Sequence, residues 1–288
     1  MLSGSLILPQ GHDDLRKVSK RVAKVGVPLV VWSLIFLGWF AASSPNWLHA
    51  PSVKFSIGQI FRSPVMTHLW FLYTLIGLYL FVPVLQAFFQ NSDRSMWYLY
   101  LGAAFIGASI VPFVFDLTGV RLLGIDLAYF PIYAAYMMLG AVVSCLRVGI
   151  KWSAAFLAVA ILSGGITSLL TAWATFHNGS PVETFYAYSS PFVVLASVGF
   201  FVGLRGLGAA AASFSRFERV IATLAPLSFG AYILHPLVLY YMFKTGLSFN
   251  TGGAWTGIPL ASVLIFGVVC IIVAALRSTK ISRWLVPN

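Results

Sequence analysis

Histidine exchanges a proton near neutral pH, and two of the chain's five histidines lie in or at the edge of charge-free apolar segments. His68 opens HLWFLYTLIGLYLFVPVL, and His235 sits inside SFGAYILHPLVLYY. Keeping an ionisable group at bilayer depth is costly, so such residues mark function by default, as proton acceptors or as ligands for a polar substrate. Pro236 follows His235; a proline inside a helix frees a backbone carbonyl and bends the axis, opening space beside the imidazole. A histidine at a helix mouth can instead simply turn its ring to water, and His68, just ahead of Trp70 and Tyr73, has that alternative. His235 has less of it, because the only other ionisable groups beside it are Tyr232, Tyr240 and Tyr241.

Other chemistries are weakly represented. The five histidines are scattered, with no HExxH or CxxC pattern, so no metal site is expected. Cys145 and Cys270 read as reduced packing residues, with no disulfide. Gly203–Ala212, GLRGLGAAAA, reads as a small-residue loop, since no strand precedes it and no phosphate-binding glycine pattern is present.

The elements that must carry these residues are set by composition. At 59% hydrophobic and 9% charged residues, with a mean hydropathy of +0.90, the chain's natural solvent is lipid. Apolar runs of spanning length fall at 26–44, 68–89, 96–115, 129–146, 152–176, 188–204, 220–242 and 255–276. They are continuous in Leu, Ile, Val, Phe and Ala rather than alternating, which excludes a membrane barrel. The expected fold is an all-α polytopic bundle of about eight transmembrane helices in a single domain over 1–288.

Cytoplasmic loops carry an excess of lysine and arginine close to helix ends. With residues 9–25 inside, Arg16, Lys17, Lys20, Arg21, Lys24, Arg94, Arg147, Lys151, Arg205, Arg216, Arg219, Arg277, Lys280 and Arg283 all fall inside, and only Lys54, Arg62, Arg121 and Lys244 outside. Both termini are then cytoplasmic. This distribution accounts for the net charge of +11 without nucleic acid as a partner. It puts His68 and His235 in the outer half of the membrane, on the side whose loops hold Asp116, Asp126, His177 and Glu183. The segment 57–67, IGQIFRSPVMT, is too short to span and reads either as an interfacial element or as a connecting loop ahead of His68.

Four stretches, in order, carry a resemblance. SPVMTHLWFLYTLIGLYLFVPVL resembles the HLWFL-type helix of membrane acyltransferase family three, and LSFGAYILHPLVLYY resembles that family's small-residue, Tyr-x-x-His-Pro helix. MLSGSLIL is similar to the end of the family's second helix, and KRVAKVGVPLVVWS to the basic stretch and proline leading into its third. The resemblance covers essentially the whole chain. It implies an O-acyltransferase of the bacterial inner membrane that takes an acyl group, acetyl in most members, from cytoplasmic acyl-CoA and delivers it to a hydroxyl of a cell-surface or lipid-linked glycan. It also implies that the chain opens at the end of the family's second helix, without the first helix and its arginine and histidine.

On that resemblance the expected site residues are His235, then His68, as base; Arg21 and Lys24 for the phosphates of coenzyme A; and Trp70, Tyr73 and Tyr232 against the sugar. No bound cofactor is expected beyond acyl-CoA as co-substrate. Where the family has a second arginine, Lys24 forgoes bidentate phosphate contact. The rival readings are a non-catalytic glycan or lipid exporter, an assembly partner for one, or an inactive truncated family member. Against transport stand the lack of internal repeats and of paired intramembrane charges.

Overall fold

A computed structural model describes all residues except 44–57, 59, 124–130, 212–214, 246–252 and 279–288. Lys54, Asp126, Lys280 and Arg283 therefore lie outside the described residues. Ten helices can be followed: α1 Leu2–Ile7, α2 Leu15–Ser43, α3 Trp70–Asn91, α4 Arg94–Thr118, α5 Ile132–Ser144, α6 Ile150–Asn178, α7 Pro191–Ala211, α8 Ser215–Leu224, α9 Ser228–Lys244 and α10 Ala254–Leu276. The described residues hold no strand. In lipid every backbone polar group must be satisfied within the protein, and helices do this locally. The protein is thus an all-helical, multi-pass membrane protein.

All eight apolar runs carry helices, and seven of the helical stretches are long and apolar enough to cross a bilayer. The run 129–146 yields only the thirteen-residue α5, which follows the extended Pro131 and ends at Cys145. At 1.5 Å per residue α5 spans about 20 Å, short of a hydrocarbon core of about 30 Å. Gly203–Ala212 departs from expectation: α7 continues as helix through Ala211, and Ala212 lies outside the described residues. Gly203 and Gly206 there pack against Leu157 and Ser153 of α6 rather than ending the helix. In α4 the turn Ile106–Ile110 widens to π geometry just ahead of Pro112, which has no N–H to give.

The chain divides into two compact units. The first comprises Met1–Leu15 and Phe81–Phe214. Its most extensive contact is between α6 and α7, where a Cβ on Gly199 would lie 2.5 Å from the Phe156 carbonyl oxygen and one on Gly203 would lie 2.5 Å from Leu157. Small residues let membrane helices approach until their backbones touch, and that is the source of attraction where lipid removes the hydrophobic one. A second close crossing joins α1 to α5, with Gly4 against the Met137 carbonyl and Gly140 against that of Met1. Arg205 donates to the carbonyls of Val143 at 3.0 Å and Leu146 at 3.2 Å, placing a cation at the carbonyl end of α5.

Two glutamines one turn apart on α3 hold the segment that follows α1. Gln86, fully buried, accepts from the Asp13 amide at 2.8 Å and donates to the carbonyls of Ile7 at 3.0 Å and Gly11 at 3.3 Å. Gln90 donates to the carbonyls of Leu8 and Gln10. Gln86→Leu would strip partners from three backbone groups at once. It is expected to lower the unfolding free energy in detergent by about 2 kcal/mol, as measured by SDS titration, whereas the exposed Gln90→Leu should cost less.

The second unit comprises Arg16–Leu80 and Ser215–Asn288. Its core joins Val25, Leu29, Trp32 and Phe36 of α2, Leu69 and Leu72 around the start of α3, Ile233 and Leu234 of α9, and Val269 and Val273 of α10. Arg277 donates to the Pro226 carbonyl at 3.0 Å, closing the turn between α8 and α9.

Candidate functional site

The site is built on the His-Pro step of α9. Proline lacks an N–H, so Pro236 cannot bond the carbonyl four residues back, which belongs to Tyr232. His235 fills the vacancy: its Nδ1 lies 2.7 Å from the Tyr232 carbonyl oxygen. A carbonyl can only accept, so Nδ1 carries the proton, and in the neutral ring Nε2 is left as a lone pair. The proline therefore does more than bend the helix: it exposes the group that fixes the histidine's tautomer.

The second histidine meets the first. A short 3₁₀ turn, Thr67–Leu69, leads into α3 and holds the ring of His68 edge-on to that of His235, with centroids 5.2 Å apart. The Tyr232 hydroxyl donates to the His68 backbone carbonyl, so Tyr232 ties the two segments together with its side chain while its carbonyl orients His235. Nε2 of His68 is buried and has no hydrogen-bond partner. Such an atom costs about 1–3 kcal/mol to leave unsatisfied, and uncompensated polar atoms in native cores gather at functional sites. Two positive charges at the 5.2 Å separation of these rings would repel by about 3 kcal/mol at an effective dielectric of 20.

An aromatic wall surrounds the pair. Phe36 of α2, fully buried, meets the edge of His68 at 5.7 Å between centroids. Tyr232 meets the His68 ring at 5.5 Å and Phe71 at 6.1 Å, and Phe71 in turn meets Trp70 at 6.0 Å. Of the aromatics expected to face the sugar, Tyr232 stands against both imidazoles, while Trp70 meets Phe71. Tyr73 points elsewhere: its hydroxyl donates to the carbonyls of Ile60 and, at 3.3 Å, Ser63. It pins the described part of the 57–67 segment and is one wall of a different cavity.

That cavity, of about 550 Å³, runs along α2 from Val22 to Val31 and is closed by Ile60, Phe61, Tyr73 and Ile76. Its lining is almost wholly apolar. Arg21 and Lys24 flank its start, with Lys24 exposed and Arg21 half-buried. Phe36 follows Arg21 on the same helix by about 22 Å at 1.5 Å per residue, so the two cations and the histidine pair are separated by most of a bilayer core.

The acidic partner that sequence left open for these histidines does not come from their own unit, which contains one acidic residue, Glu218 of α8. A backbone carbonyl takes its place as the orienting group. Among the described residues, no three His, Cys, Asp or Glu side chains gather as metal ligands. Sequence reasoning also missed Phe36, whose only signal was its place on the outer half of the first span, and the Trp39–Tyr241 hydrogen bond of 3.3 Å nearby.

Comparison with known protein families matches residues 1–277 to acyltransferase family three, described as an acyltransferase domain. No curated protein and no solved structure matches the chain. The match covers all four stretches that carried the resemblance, and with them both histidines. The chain accordingly belongs to this acyltransferase family and is a membrane acyltransferase.

Proposed function

We propose that the protein moves an acetyl group from cytoplasmic acetyl-CoA to a hydroxyl of a cell-surface or lipid-linked glycan at the outer face of the bacterial inner membrane. The observation that carries this reading is the tautomer lock at His235, which leaves Nε2 free to accept a proton. Nε2 takes the proton of the acceptor hydroxyl as its oxygen attacks the thioester carbonyl. The carbon–sulfur bond breaks, the ester forms, and the thiolate of coenzyme A recovers the proton from the imidazolium. His68, packed edge-on against His235, closes the site from one side.

The reading is supported by the ends of α2. Arg21 and Lys24 offer positive charge to the coenzyme A phosphates, the apolar cavity beside them offers a lane for the thioester arm, and the histidine pair stands toward the other end. Trp70 and Tyr232 offer faces to the sugar.

Membrane vesicles holding the protein and a surface polysaccharide are expected to move radiolabel from acetyl-CoA onto the polysaccharide. Arg21→Ala with Lys24→Ala should raise KM for acetyl-CoA about tenfold or more while kcat changes little, because these residues bind the donor alike in ground and transition states. Label that stays in acetyl-CoA under all conditions would sink the proposed reaction.

A further inference from the structure

The first unit contains a second, polar cavity that the chemistry above does not use. It has a volume of about 430 Å³ and is lined chiefly by Tyr133 at the start of α5 and by Glu183, Tyr186, Tyr188 and Ser189 of the connection between α6 and α7. The charge distribution along the sequence assigns this connection to the outer side, where an extracytoplasmic acceptor would arrive.

The cup is preformed. The amides of Tyr186 and Ala187 donate to the Glu183 carbonyl at 3.2 and 2.9 Å, and that of Ser190 donates to Ala187 at 2.8 Å, winding 183–190 into a compact turn. Phe185, almost fully buried, fixes the turn by packing edge-on against Phe113 at 5.9 Å. From α5 the Tyr136 hydroxyl donates to the Tyr188 carbonyl at 2.9 Å. Held this way, Tyr186 and Tyr188 remain 47% and 55% exposed, far more than a ring needs merely to anchor a loop. Partial desolvation and the hydrogen-bonded Glu183 carboxylate raise the Tyr186 phenol above its ordinary value, so it stays protonated as a donor.

We infer that this cup binds a pyranose ring of the acceptor glycan, with the sugar's apolar face on Tyr186 and Tyr188 and its hydroxyls on Glu183 and Ser189. Flat aromatic faces beside a few fixed polar groups suit a ligand that is apolar on its faces and hydroxylated at its rim. A trimethylammonium group is the competing ligand for tyrosines with a carboxylate. It fits less well, because Tyr133 and Tyr188 touch each other, with centroids 6.2 Å apart, and so leave no gap between them for a cation to enter. The inference rests on the glycan-acceptor reading and names where that acceptor is held.

The test is saturation-transfer NMR on the detergent-purified full chain, with methyl α-glucoside, methyl α-galactoside, methyl α-mannoside and choline as probes and no acyl donor present. At least one sugar is expected to receive saturation, and to lose it about fivefold or more in Tyr186→Ala/Tyr188→Ala, which removes two exposed rings from outside the core. Glu183→Gln, which keeps the shape of the turn, should weaken the same signal. Sugar signals unchanged in the double variant, no sugar signal in the native chain, or saturation of choline in preference to all three sugars would each overturn the assignment. Sugar binding without label transfer from acetyl-CoA would leave this site standing and remove the reaction; label transfer with an unaltered acceptor KM in the double variant would do the reverse.

Discussion

His235→Ala is expected to lower acyl transfer by about two to four orders of magnitude, the usual contribution of a positioned general base. The loss should appear in kcat, with KM for acetyl-CoA little changed, because the imidazole acts on the acceptor proton rather than on the donor. His235→Gln preserves size and polarity without a basic lone pair and should be about as inactive as alanine. The informative companion is Pro236→Ala. It restores the N–H that bonds the Tyr232 carbonyl, which then competes with Nδ1 of His235 for that oxygen. Stability should hold or rise while the transfer rate falls about tenfold, since the ring no longer has one preferred tautomer. Transfer at the native rate in His235→Ala would remove this residue from the chemistry.

The second large effect concerns packing. Gly199→Ala is expected to destabilise the protein by about 1–3 kcal/mol, because the added methyl would sit 2.5 Å from a backbone oxygen and 2.8 Å from the Ala160 Cβ, neither of which can swing aside. Gly165→Ala, on the facing helix α6, should have the opposite sign. No neighbouring atom lies within 4 Å of its Cβ position, and alanine in a helix interior gains about 0.5–1 kcal/mol over glycine. The two variants differ from the native chain by the same methyl group in the same helix pair. SDS titration of the purified proteins in one detergent measures both, and a stabilising shift in Gly199→Ala as well as in Gly165→Ala would show that the crossing is looser than described.

The contrast explains what could be read from the residues alone. The apolar runs were legible because lipid demands continuous helices, and a run of the right length has few other fates. Their ends were less so: the first run was set at 26–44, yet α2 starts at Leu15, since a window of hydropathy finds where the membrane is and not where the helix begins. GLRGLGAAAA was misjudged because its glycines weaken a helix in water but let helices approach closely in a bilayer. The acyltransferase resemblance carried the family correctly over nearly the whole chain.

At the site, the sequence singled out both histidines and the freed carbonyl, but not their meeting. His68 and Tyr232 lie 164 positions apart, and no local pattern encodes a contact at that range. The identity of the orienting group was within reach, since counting four residues back from Pro236 gives Tyr232. Tyr73 was grouped with the sugar-facing aromatics by its nearness to His68 in the chain; five residues on, a helix has turned about 500°, which leaves Tyr73 about 140° round from His68, and its hydroxyl faces Ile60 instead.

Where a basic histidine is oriented by a residue of another element, any motion between the two elements disturbs the base. Here the orienting oxygen lies three residues away on the histidine's own helix. Imidazole and partner therefore shift as one body. If α9 must tilt or slide to admit a bulky acceptor and release it again, the lone pair at Nε2 keeps its identity throughout the stroke, and the machinery for moving substrate is uncoupled from the machinery for moving the proton.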